Sequence, residues 1–334
     1  AVRHVARIGA TVFFRQRDAD QAERAHLVED LAVGLLVQVG VDQAGDTTAV
    51  WLQSVGGHVV VRAAQRPAGG NWSTPSTLSD AGMSAFEPQV SVGDNGDTTA
   101  VWLIFDGSNY RVQTARRRAG GSWGSPVTLS AALRNADWPQ VSISPNGAAT
   151  AVWLIFDGGN YVVQAAGQGS SGSWRSPVTL SAPGQDAAYP QVSTSAAGAT
   201  AIWQRSDGTN QRVQVASASA DGAWGAPVEL SDGTQGAYSP QVSLNRDGEA
   251  AAIWLIGDGT DQNRKYRAQA ATRSRQGTWS TPTTLSAAGQ NAYEPQIGLD
   301  GTGAAVATWL RADGGGRLLL ETATESAPNG WGMP

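Results

Sequence analysis

Five aromatic residues stand just ahead of a Pro-Gln step, at Phe86, Trp138, Tyr189, Tyr238 and Tyr293. Five aspartates each precede a glycine, at Asp106, Asp157, Asp207, Asp258 and Asp313, and Asn109, Asn160 and Asn210 follow three residues on in three of these turns. An aromatic face can stack on a sugar ring, while a carboxylate or amide fixes hydroxyl groups. The two series together therefore have the composition of a carbohydrate site. Each also has an ordinary structural alternative. Asp or Asn beside Gly is what a tight hairpin demands, and a crossover aromatic can plug the gap between packed sheets. The first stretch of this kind departs from the rest, with Val55-Gly56-Gly57 in place of Asp-Gly.

Other chemistry is sparse. His4, His26 and His58 are the only histidines and lie outside the regular spacing, so a histidine triad or metal cluster is not expected. Asp94, Asn95 and Asp97 share one turn, as calcium ligands do. The matching turns Ser144-Pro145-Asn146-Gly147 and Ser195-Ala196-Ala197-Gly198 lack carboxylates, which favours a plain β-turn. No metal or cofactor is expected. The formal charge of -5 argues against nucleic acid, whose phosphates need a basic stripe. No apolar run reaches the length of a membrane helix, so no membrane insertion is expected. The absence of cysteine removes a disulfide framework without deciding the compartment. Ala1 to Ala10 lack the pattern of a signal peptide. An extracellular location, with the chain as the mature form, is the expectation.

The elements that position these residues are legible from internal repetition. Ala-Val-Trp or a close variant ends at Trp51, Trp102, Trp153, Trp203, Trp254 and Trp309. A second series falls at Trp72, Trp123, Trp174, Trp224, Trp279 and Trp331. Pro-Gln-Val places its glutamine at Gln89, Gln140, Gln191, Gln241 and Gln296, with Gln38 as the first member. Of the 13 tryptophans only Trp138 stands outside these series. The copies recur about every 51 residues, and the fifth carries an insertion at Asp261-Gln262-Asn263-Arg264.

Within the second copy four β-like runs are read, at Pro88 to Val92, Thr98 to Ile104, Tyr110 to Ala115 and Trp123 to Ser130. Turns at Asp94-Asn95-Gly96, Asp106-Gly107 and Gly120-Gly121 separate them. Six antiparallel four-stranded units of this length fit an all-β, six-bladed β-propeller better than a solenoid. The tryptophans are expected as wedges between blades. Residues 1–334 are read as a single propeller domain, with 1–30 an atypical segment and 31–334 the array. The last copy stops at Met333-Pro334. Residues near Ala25 to Glu29 are candidates to complete its fourth strand, and Asp18 to Leu36 reads equally as an amphipathic helix.

The turn Ser219-Ala220-Asp221-Gly222-Ala223-Trp224, followed by Pro227 and Leu230-Ser231, resembles the Asp-box of the sialidase and BNR-repeat propellers. Other copies, such as Gly69-Gly70-Asn71-Trp72, keep only the glycine and tryptophan. The resemblance implies the fold. Sialidase chemistry, as the family implies it, needs an arginine cluster, a tyrosine with a glutamate partner, and an acid/base residue. Phe14-Arg15-Gln16-Arg17 lacks the proline of the family's Phe-Arg-x-Pro motif. Tyr293-Glu294 are adjacent, so regular alternation would point them to opposite faces.

Antiparallel connectivity brings the turn between second and third strands onto the same rim as the crossover into the next blade. The aromatics and the turn aspartates are therefore expected together. The reading is a non-catalytic, lectin-like binding propeller with several weak sites, whose partner is a glycan. The alternative is an interaction or structural ring whose partner is a protein surface. Catalysis is disfavoured because the copies are so alike. Oligomeric state is left open.

Overall fold

The computed structural model describes residues 37–169, 172–258, 265–325 and 330–332. Each period folds as one antiparallel sheet whose four strands follow chain order. The first blade holds β1 (Gln38–Val41), β2 (Thr47–Val55), β3 (His58–Arg66) and β4 (Ser76–Thr77), and the second β5 (Ala85–Val92), β6 (Thr98–Phe105), β7 (Tyr110–Arg117) and β8 (Val127–Thr128). The third comprises β9 (Ala136–Ile143), β10 (Ala149–Phe156), β11 (Tyr161–Gln168) and β12 (Val178–Thr179); the fourth β13 (Ala187–Ser195), β14 (Gly198–Ser206), β15 (Gln211–Ser219) and β16 (Val228–Glu229). The fifth comprises β17 (Ala237–Leu244), β18 (Ala250–Asp258), β19 (Lys265–Arg273) and β20 (Thr283–Thr284); the sixth β21 (Ala292–Leu299), β22 (Ala305–Ala312), β23 (Leu318–Glu325) and β24 (Trp331–Gly332). The sheets form a six-bladed β-propeller. Among the described residues no helix is long and apolar enough to cross a membrane.

The second strands of the second and third blades are buried on both faces, which explains their unbroken apolar runs. In β6, Val101 and Leu103 face the third blade and pack with Trp153 and Ile155. Trp102 and Ile104 point the other way, against Val50 and Val61 of the first blade. Buried cores of this kind fill each junction from the first blade to the sixth. Trp102, Trp153, Trp203, Trp254 and Trp309 are fully buried in them, whereas Trp51 is half-buried. The second tryptophan series lies at the blade edge instead: Trp123 is half-buried and Trp72 is exposed. The third strand of the sixth blade carries Leu318 and Leu320, 56% and 68% exposed, and Leu320 holds the place of Val112, which the second blade buries completely.

Serines latch the blades. Ser91 Oγ accepts the N–H of Ile143 at 3.0 Å, Ser193 Oγ that of Leu244 at 3.0 Å, and Ser243 Oγ that of Leu299 at 3.2 Å. Each bond joins the innermost strands of neighbouring blades. Ser142 serves the same position through Thr194 Oγ1 at 2.9 Å. A second set closes the first five blades internally, where the Leu-Ser steps bury Leu78, Leu129, Leu180, Leu230 and Leu285. The serine that follows accepts an N–H of the third strand, as Ser130 does from Val112 at 3.0 Å.

Two details differ from the sequence reading. The expected fourth strand, Trp123 to Ser130, shrinks to Val127–Thr128 with one bridge from Trp123 to Arg117. Pro126 interrupts it because proline has no N–H to give a ladder. The first strand begins three residues earlier than Pro88, at Ala85, by running through a bulge. The segments 1–30 and Asp18 to Leu36, the insertion at Asp261 to Arg264, and Met333-Pro334 lie outside the described residues.

Candidate functional site

The crossover into each blade meets the second turn of the blade before it. Asn135 Oδ1 accepts the N–H of Tyr110 at 3.0 Å, Asp186 Oδ1 that of Tyr161 at 2.8 Å, and Asn291 Oδ1 that of Tyr266 at 3.0 Å. These bonds put crossovers and second-to-third-strand turns on one rim, the one that antiparallel connectivity demands.

The turn aspartates are engaged with their own hairpins. Asp106 Oδ1 accepts N–H bonds from Ser108 and Asn109 at 3.0 and 2.8 Å, and Asp157 Oδ1 from Gly159 and Asn160 at 2.9 and 2.8 Å. Asp207 Oδ1 does the same with Thr209 and Asn210, both at 2.7 Å, and Asp313 Oδ1 with Gly315 and Arg317 at 2.7 and 3.1 Å. The Asn109, Asn160 and Asn210 carbonyls close the turns by accepting the N–H of Asp106, Asp157 and Asp207. Those asparagine N–H groups hold the three carboxyls below their ordinary range. The second oxygen of Asp106 lies 3.4 Å from Arg111 and that of Asp207 2.5 Å from Arg212. Asp258 ends β18, where its backbone pairs with Lys265.

The aromatics occupy two positions rather than one. Phe86, Tyr238 and Tyr293 stand two residues before the proline and lie in register opposite Leu103, Leu255 and Leu310. Trp138 and Tyr189 stand one residue later, inside a bulge. The sequence reading aligned them all on the Pro-Gln step and so missed the offset. The bulge residue has a left-handed backbone in five blades: Glu87 (φ 49°), Trp138 (51°), Tyr189 (52°), Ser239 (51°) and Glu294 (48°). A residue before proline normally stays extended, and a bulky side chain at positive φ costs about 1–3 kcal/mol. The bulge also breaks the alternation invoked for Tyr293 and Glu294, of which Tyr293 is half-buried and Glu294 exposed.

Around these positions aromatic rings cluster. Trp138 and Tyr189 meet edge-on across two blades with centroids 4.5 Å apart. Phe86 and Phe105 both contact Tyr110, at 5.5 and 5.2 Å. Phe156 contacts Tyr161 at 5.5 Å and Tyr238 contacts Tyr266 at 5.6 Å. Sequence reasoning missed Tyr110, Tyr161 and Tyr266, although an aromatic just past an Asp-Gly turn was visible in two copies. It also missed Leu133, whose side chain is 85% exposed on the crossover and whose φ is 63°. Gly184 and Gly289 hold the matching place in other blades at φ 88° and 80°.

The opposite rim differs in chemistry. A shallow cleft of about 80 Å³ lies there between the third and fourth blades, lined by Ser144, Asn146, Arg175, Ser195, Ser219 and Trp224. The Asp-box-like turn borders this cleft, where Asp221 Oδ1 accepts from Ser219 Oγ at 2.5 Å and from the Ala223 N–H at 3.2 Å. It therefore stands away from the aromatic rim. On the same side Asp97 is buried against Arg116 at 2.7 Å and accepts the Ala119 N–H at 3.0 Å. Arg116 balances that charge in the turn that carries Asp94 and Asn95. Burial pushes the Asp97 carboxyl up, and these bonds outweigh it and hold it below the ordinary range. His58 opens β3, while His4, His26 and Phe14 to Arg17 lie outside the described residues.

No protein-family description matches the chain, and no curated protein matches it. Solved structures do. An ulvan lyase, from a new family of polysaccharide lyase, is 11% identical, with 84% of this chain and 81% of that one covered at a TM-score of 0.54. A protein of unknown function from Dyadobacter fermentans DSM 18053 is 11% identical over 86% of this chain and 92% of its own, at 0.52. A mutant NanB sialidase from Streptococcus pneumoniae is 8% identical over 83% of this chain and 65% of its own, at 0.50. The likeness is one of fold. It corrects the expectation of a ring without turnover, because the same propeller serves a lyase and a sialidase. At this identity the fold does not decide the activity.

Proposed function

We propose that this propeller recognises carbohydrate on the rim formed by the crossovers and the second-to-third-strand turns. The observation that carries the reading is the gathering of aromatic rings there, above all Trp138 against Tyr189 at 4.5 Å. Rings of this kind offer stacking faces for sugars, with turn backbone and polar side chains beside them. Fold neighbours named as a polysaccharide lyase and a sialidase support it. Phe86, Tyr238 and Tyr293 belong to the same rim, as do Asp106, Asp157, Asp207 and Asp313 with Asn109, Asn160 and Asn210. The carboxylates act there chiefly by fixing turn shape. Single contacts of this shallow kind bind at about millimolar to tens of micromolar, and avidity adds to them. An extracellular working place goes with this reading, and immunodetection in culture fluid against cell lysate checks it.

The test is a glycan array followed by calorimetry with wild type, Trp138→Ala and Tyr189→Ala, each verified as folded by circular dichroism. The same sugars are incubated with the protein and their products followed by chromatography, which reads turnover independently of binding. Binding that the substitutions weaken at least tenfold supports the proposal. Binding to no sugar, or binding unchanged in both folded variants, overturns it. A second reading, a protein-binding ring, is favoured by one observation: Leu133 projects into solvent at 85% exposure from a strained backbone on that rim.

A further inference from the structure

The blades are alike almost everywhere, so a position where they differ chemically stands out. The bulge ahead of each proline is such a position. Its backbone is the same in five blades, with φ between 48° and 52°, yet its side chains are glutamate, tryptophan, tyrosine, serine and glutamate. Glycine is the residue that this backbone favours. The chain has 41 glycines and uses many at positive φ, but places none at these five positions. The repeat thus accepts strain to keep a side chain there. The bulges belong to the first strands, which lie side by side around the inside of the propeller. Two of the bulges touch directly, Trp138 against Tyr189, and the Ser239 N–H reaches the second strand of the preceding blade, where Gln204 Oε1 accepts it at 3.2 Å.

We infer that the five bulge residues form one axial site per molecule, which takes a single uncharged sugar residue and turns away acidic sugars. Trp138 and Tyr189 supply the stacking side of the mouth. Glu294, exposed, and Glu87, half-buried, supply carboxylates on the side toward the first blade, where they accept hydroxyl hydrogen bonds and repel a sugar carboxylate. Ser239 stands between Tyr189 and Glu294 in blade order. This inference rests on the carbohydrate reading above and sharpens it, since it replaces several equivalent rim contacts by one principal site of unequal walls.

The experiment is calorimetry with two trisaccharide probes, the uncharged chitin trisaccharide and trigalacturonate, on wild type, Trp138→Phe and Glu294→Gln. The inference expects one principal site per chain and at least tenfold weaker binding of trigalacturonate than of the uncharged probe. Glu294→Gln should narrow that gap about threefold or more while leaving the melting temperature near wild type. Trp138→Phe keeps an aromatic plug and should still weaken the uncharged probe severalfold. Several equivalent sites per chain, or acidic and neutral probes bound alike, overturn the axial site and leave rim recognition standing. Binding of neither probe when array sugars do bind overturns the axial site as well. Binding of no sugar of any kind removes both readings together.

Discussion

Trp254 donates its indole N–H to Oε1 of Gln269 at 2.9 Å, across the two central strands of the fifth blade, with both side chains buried. Trp203 makes the same bond to Gln214 at 3.2 Å, and Trp309 to Glu321 at 2.9 Å. Gln269→Leu removes the acceptor and leaves a buried donor, a loss of about 1–3 kcal/mol. Urea denaturation followed by tryptophan fluorescence should show that loss, and an unchanged midpoint would show the bond to be energetically idle.

The two tryptophan series should respond differently to truncation. Trp102→Ala empties a fully buried place between the first and second blades and should cost about 3–5 kcal/mol. Trp72 is 47% exposed, so Trp72→Ala should cost less than half as much. Equal losses in chemical denaturation would contradict the assignment of core and edge.

The Arg116 clasp ties stability to pH. Its guanidinium bonds Asp97, the Gly147 carbonyl at 2.7 Å and Gln168 Oε1 at 3.2 Å, which joins the second blade to the third. The folded Asp97 carboxyl lies below its unfolded value. Its contribution is therefore complete above the ordinary carboxylate pKa of about 3.9 and is lost as pH falls through the lower folded value. Melting temperatures should drop below about pH 4, and less steeply in Asp97→Asn. Arg116→Met, which leaves Asp97 only Arg118 at 3.7 Å and the Ala119 N–H, should cost about 1–3 kcal/mol at neutral pH.

Leu133→Gly should stabilise the protein. Relief of a left-handed leucine is worth about 1–2 kcal/mol, and part of it is offset by the greater freedom of glycine when unfolded. Calorimetric melting reads the net rise. A fall instead would mean that the leucine side chain makes a favourable contact.

Much of the architecture was legible because tryptophan, turn and Pro-Gln markers repeat with one period. Trp102, Trp153, Trp203, Trp254 and Trp309 could be placed in the core from their apolar flanks alone, whereas Trp51 is half-buried. The offset between Phe86 and Trp138 could not be read, since a bulge adds a residue without changing the markers on either side. The same bulge defeated the alternation rule applied to Tyr293 and Glu294. Pro126 was visible, but the Val-Thr-Leu-Ser run behind it looked like strand, and the cost of one missing N–H decided otherwise. The glutamines Gln214 and Gln269 were on view in the sequence. Their meaning depended on the cross-strand register that sets Gln269 opposite Trp254.

The serine latch ends where the repeat changes to glycine. Gly298 and Gly40 occupy the place held by Ser91, Ser142, Ser193 and Ser243, so the innermost strand of the sixth blade and that of the first lack this hydroxyl. At Gly40 a side chain would collide with Val92, whereas Gly298 faces open space. Under mechanical load the junctions are unequal: those from the second blade to the sixth must shear this polar bond between innermost strands, while the one between the first and second blades lacks it. A molecule pulled from its ends should therefore shed the first blade at the lowest force and extend in unequal steps, with the four latched junctions yielding later.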